Sequence, residues 1–141
     1  RGGYYIHLEP NNCLVAVGSY WLPTNILTSC RNEIMANIDQ WRKIVEDGKF
    51  IKTFGYPNDG QWEDDAVSEK GFGLAALKTI PKGFPRDYEF AQYLRMKDYC
   101  CWVKVPDSFF EGNEWKEKLI EIAKTGKPMM DMMNNVIDDY E

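Results

Sequence analysis

The chain has 141 residues, of which 44% are apolar, 14% aromatic and 28% charged; this is the length of one domain and the composition of a folded, soluble chain rather than a disordered tail. Seventeen Lys and Arg against 22 Asp and Glu leave a net charge of −5, and no basic stripe is available to displace counterions, which argues against nucleic acid as a partner. No apolar run nears the ~20 residues needed to cross a bilayer, and no basic region leads into an apolar stretch, so neither a membrane partner nor a signal peptide is expected.

Tyr4 to Glu9 alternates, with Tyr4, Ile6 and Leu8 on one face and Tyr5, His7 and Glu9 on the other. That period of two, bounded by Gly2-Gly3 and Pro10-Asn11-Asn12, predicts a strand and a turn. Cys13 to Tyr20 is apolar on both faces and predicts a more buried strand. With Asn12 in the left-handed position of a three-residue loop, the two form an antiparallel hairpin. Leu27, Cys30, Ile34 and Ile38 recur at helical spacing, and Asp39 is placed to cap a second helix carrying Trp41, Ile44 and Val45, which Gly48 stops. Phe50, Ile51 and Phe54 suggest one more short helix.

From Asn58 to Gly73 the chain is polar, acidic and glycine-punctuated, as expected of a surface loop or lid with Trp62 as anchor. Pro81 and Pro85 keep the following stretch extended. Asp87 is placed to cap a helix bearing Phe90, Tyr93 and Leu94. Tyr99 to Val105 then reads as a third strand. A helix capped by Asn113 is expected to end at Gly126, and a final helix to begin near Pro128 and run through Met129, Met132, Met133, Val136 and Tyr140. The expected fold is α+β: a small, mainly antiparallel sheet, hairpin plus third strand, packed against several helices.

Three blocks, GGYYIHLEP, VGSYWLP and LKTIPKGFPRDYEFAQYLRMKDY, occur in this order. In them the chain resembles the uncharacterised family catalogued as domain of unknown function 2461, from Gly2 to the Pro128 helix. The resemblance implies a substantial segment ahead of the first strand, so that residues 1–141 would be one domain, the C-terminal part of a longer family domain, with that missing segment as a partner. It implies no activity. Where the family tends to read Asp-His-Pro, this chain has Asp87-Tyr88-Glu89, and its acidic loop is longer.

Cys13, Cys30, Cys100 and Cys101 form no CxxC pair, and the chain has one histidine. A metal site is therefore poorly supplied, no cofactor is expected, and reduced core cysteines point to the cytoplasm. If the hairpin pairs Glu9 with Cys13, then His7, Glu9 and Cys13 share a face, the inventory for an activated thiolate. A hydrogen-bonded sheet histidine is the better reading of His7, because a one-residue register change removes Cys13. Lys78, Lys82 and Arg86 could hold an anion, although solvated loop charges explain them more simply. Tyr20, Trp21 and Trp102 could wall a pocket or pack the core. Two functions are open at this level. One is a domain binding a small molecule or protein through Tyr5, His7 and Trp21. The other is a hydrolase-like or transferase-like enzyme with His7 as acid–base group and Glu9 orienting it.

Overall fold

The computed structural model of the chain describes residues 1–58 and 69–140. They hold β1 (Gly3–His7), β2 (Cys13–Ser19), β3 (Lys70–Phe72) and β4 (Tyr99–Val105), with α1 (Thr24–Ala36), α2 (Ile38–Val45), α3 (Gly48–Phe54), α4 (Ala91–Leu94) and α5 (Trp115–Ile137). The strands form one sheet in the order β1-β2-β4-β3, each neighbouring pair antiparallel. The fold is α+β as expected, with one strand more than the sequence suggested. β3 was hidden because three residues carry no period and Lys70-Gly71-Phe72 closes a polar stretch. Residues 59–68 of that stretch, Trp62 included, lie outside the described residues.

The hairpin register corrects the expectation. His7 pairs with Leu14, Ile6 with Val15 and Tyr5 with Ala16, one step from the Glu9–Cys13 pairing. The connection is five residues long, Asn11 rather than Asn12 takes the left-handed conformation at φ 62°, and Asn12 N–H donates to the Glu9 carbonyl at 2.9 Å. Asp107, just past β4, fixes this arrangement by accepting the Asn11 N–H on both carboxylate oxygens at 3.0 and 3.1 Å. A tertiary contact, invisible in the local pattern, thus sets the turn.

Helices cover one face of the sheet. Val17, Tyr99 and Cys101 on that face join Leu27, Ile34, Trp41, Phe50, Phe54 and the methionines of α5 in the main core. Trp41 is at its centre, its ring 5.6–6.2 Å from those of Tyr99, Tyr93 and Phe72, and its edge contacts with the two tyrosines add to the area buried. Gly48, expected to stop a helix, opens α3 instead, because the Asp47 side chain accepts Lys49 N–H at 3.1 Å and Phe50 N–H at 3.4 Å. Asn37, not Asp39, holds the cap position of α2.

The expected break at Gly126 does not occur; α5 runs through both Gly126 and Pro128 as a 23-residue helix. Gly126 serves the packing. A Cβ there would stand 2.8 Å from the Val17 Cβ, so the missing side chain lets the helix lie directly on β2. One proline costs an internal hydrogen bond, which the apolar face of Met129, Met133 and Ile137, each at most 2% exposed, offsets by burial. The predicted Asp87-capped helix shrinks to α4, led by Phe90 with no side-chain cap. Phe90 is instead drawn onto α2, where the Arg42 guanidinium stands 4.2 Å from its ring centre.

Candidate functional site

The register decides which side chains share the face away from the main core. Tyr5 and His7 stand there with Leu14, Ala16, Cys100, Trp102 and Lys104. Ala16, Cys100 and Trp102, with Leu14 and Leu74 against them, form a small apolar cluster separate from the main core. Beside it runs an apolar groove of about 180 Å³, walled by Tyr5, Leu14, Ala16 and Tyr20 on one side and by Leu74, Cys100 and Trp102 on the other. Tyr5 and Tyr20 meet edge to face at 5.9 Å between ring centres. Gly71 makes room for the Trp102 indole, which fills the space a side chain at 71 would need: a Cβ there would be 2.2 Å from the ring.

Asp98 holds two walls of this groove in place. Its buried carboxylate accepts the Leu74 N–H on both oxygens at 3.1 and 3.0 Å, the Ala75 N–H at 3.2 Å and the Cys100 N–H at 3.2 Å. Burial pushes the Asp98 carboxyl up to about 6, against the pull of those three amides and of the Lys97 charge. Sequence reasoning passed over Asp98, since a lone aspartate ahead of a strand has no motif. Leu74 and Ala16 were missed for the same reason.

The predicted site residues separate. Tyr5 lines the groove. His7 and Glu9 form a contact of 2.9 Å between His7 Nε2 and Glu9 Oε2, with side chains 51% and 55% exposed, and they lie outside the groove lining. The hydrogen bond from His7, then that from Asn12, holds the Glu9 carboxyl below its usual range. Cys13 is on the opposite face from His7, its thiol donating to the Glu9 carbonyl at 3.4 Å and to Asp107 Oδ1 at 3.6 Å. The structure therefore does not bring together the Cys13–His7 pair that the expected register required. Trp21 is 76% exposed and away from the groove, whereas Tyr20 and Trp102 belong to it. Lys78 and Lys82 are exposed loop residues; Arg86 folds back to donate to the Ile80 carbonyl.

All four cysteines are free and buried. Burial pushes the Cys30 and Cys100 thiols up to about 12, so the sulfur facing the groove is held as the weakly nucleophilic thiol. Among the described residues no cluster of His, Cys, Asp and Glu could hold a metal ion, and no helix is long and apolar enough to cross a membrane. Two larger hollows, of about 440 and 400 Å³, mix charged side chains of both signs with apolar ones such as Ile44, Pro128 and Val105.

Among the described residues, an antiparallel sheet with helices on one face and an apolar groove on the other defines the class, an α+β protein. The chain belongs to the family described as "Conserved hypothetical protein (DUF2461)", whose model matches residues 1–132. No curated protein and no solved structure matches the chain.

Proposed function

We propose that this chain is a binding domain that takes an apolar group of a small molecule or a protein segment on the open face of its sheet. One observation carries the reading: a groove of about 180 Å³ with an entirely apolar and aromatic lining. Its volume suits one aromatic ring or branched aliphatic side chain, since a cavity of about 150 Å³ lined by apolar side chains accommodates benzene. Tyr5 and Tyr20 supply edges and faces for an entering ring. The lining has no general base and no metal-ligating cluster, which favours binding over chemistry within the groove. An acid–base role for His7, oriented by Glu9, has their 2.9 Å contact in its favour but would act at the surface beside the groove.

The test uses p-cresol, a ring with a polar end, titrated into the chain and followed by ligand-detected NMR. Saturable binding is expected. Ala16→Leu, which fills the groove floor, and Tyr5→Ala, which removes one wall, should each weaken it by about tenfold or more, on the scale of 1–2 kcal/mol for one well-made apolar contact. Binding that neither substitution changes would refute the groove as the site.

A further inference from the structure

The larger of the two charged hollows, about 440 Å³ in volume, lies between the α2–α3 turn and the middle of α5, on the helix side of the sheet and apart from the groove. That volume is within the range of small-molecule sites. Its charged lining is Lys43, Lys49 and Lys124 with Asp47 and Glu121, an excess of positive charge in a chain whose net charge is −5. Both acids are already engaged. The Asp47 carboxylate is turned to the start of α3, where it accepts the Lys49 and Phe50 N–H groups. Glu121 is held by the Lys49 ammonium, the main reason its carboxyl lies below the usual range, with a smaller pull from Lys124.

Lys43 and Lys124 are left over: among the described residues neither ammonium has an ion-pair partner. The sequence accounts for this. Lys118 and Lys127 pair with acids four residues away on α5, Glu114 and Asp131, whereas the positions four residues from Lys124 are Ile120 and Pro128. On α2, Glu46, three residues past Lys43, is taken by Arg42 and by the Tyr93 hydroxyl. Asp47, four past it, caps α3, and the charge of Asp39, four before it, acts on the Tyr88 hydroxyl.

We propose that this hollow binds a small organic phosphate monoester, its phosphate between the Lys43 and Lys124 ammonium groups and its apolar body on Ile44 and the Pro128 ring. A phosphate monoester carries about −1.5 to −2 charges at neutral pH and three strong acceptor oxygens, so one head group takes both cations, whereas a single carboxylate leaves one of them over. The two lysines come from different helices, and their flexible four-carbon stems let both reach one head group. Ile44 is half-buried and Pro128 exposed, and both line the hollow. Pro128 has no N–H to give the helix; the residue that costs α5 a hydrogen bond thus supplies apolar surface to the site.

The test is amide NMR of the isotope-labelled chain, titrated with phenyl phosphate and, separately, with inorganic phosphate. Phenyl phosphate should shift the amides of Lys43, Ile44, Lys124 and Thr125 saturably. Inorganic phosphate should do so about tenfold more weakly, because it buries no ring. Lys43→Gln and Lys124→Gln should each weaken phenyl phosphate binding by about twofold to fivefold, the range for an exposed charge pair. Glu121→Gln should strengthen it by a similar factor, since it removes a competing carboxylate and releases Lys49. Lys116→Gln, the same charge change at the start of α5, should leave it unchanged, because salt screens a charge that distant. All four positions are exposed, so the fold tolerates the substitutions. No saturable shift of these amides, equal affinity for the two ligands, or equal losses from Lys116→Gln and Lys124→Gln would each overturn the proposal. The hollow and the groove share no lining residue, so the two readings stand or fall separately.

Discussion

Gly71 on β3 lies directly opposite Trp102 on β4, and the indole of the second occupies the place of the side chain that the first lacks. One residue of a three-residue strand thereby sets how Trp102, 2% exposed, lies beside the groove. Gly71→Ala is expected to push the ring away and cost about 1–3 kcal/mol, the usual range for overpacking. Tryptophan fluorescence should shift with the lost stability. An unchanged melting temperature and spectrum would show that the ring does not depend on the gap.

The contact between α5 and β2 follows the same logic. Alanine is a better helix former than glycine by about 1 kcal/mol, so Gly126→Ala would stabilise a helix free of neighbours. Here its Cβ would stand 2.8 Å from that of Val17, and the net effect is expected to be destabilising by about 1–3 kcal/mol. In a Val17→Ala background the same substitution should become neutral or favourable. Denaturant unfolding of the four proteins of this cycle gives the coupling directly.

Much of this architecture is legible in the sequence. The alternation of Tyr4 to Glu9, the β-rich run from Tyr99 to Val105 and the Leu27-Cys30-Ile34 stripe each have a period, and each forms the expected element. What was misread turned on contacts between distant parts of the chain. The hairpin register depends on Asp107, which is 96 residues from Asn11. Helix α5 continues through Gly126 because of Val17, although glycine followed by proline is a local stop signal. The groove is less legible still. Its lining comes from three strands and two connecting segments, and which face Cys13 and His7 occupy reversed on a shift of one residue.

Asp98 gives a pH dependence with a definite sign. Its folded value of about 6 lies above the ~3.9 of an unfolded aspartate, so the folded chain binds the extra proton between them. The stability it contributes is fully present below about pH 4 and is lost as the pH rises through about 6. Unfolding free energy should therefore fall between pH 4.5 and pH 7, by an amount on the order of 2 kcal/mol, and Asp98→Asn should flatten that slope. Asp98→Ala leaves three amides without their acceptor and should cost about 3 kcal/mol or more. A slope that survives Asp98→Asn would assign it to another group.

His7→Ala separates a surface contact from a buried one. With both side chains about half exposed, its removal should move the melting temperature by less than about 2 °C. The Glu9 carboxyl, held low chiefly by His7, should titrate closer to its ordinary value, as carbon-detected NMR would report. A large loss of stability would place His7 in a structural role.

The open sheet face is tested most directly by a crystal structure of the chain soaked with iodobenzene, whose anomalous scattering locates the ring. The signal is expected in the groove between Tyr5, Tyr20 and Trp102, with Leu74 and Cys100 still tied to Asp98. An iodine position elsewhere on the protein, or an empty groove at saturating iodobenzene, would contradict the account.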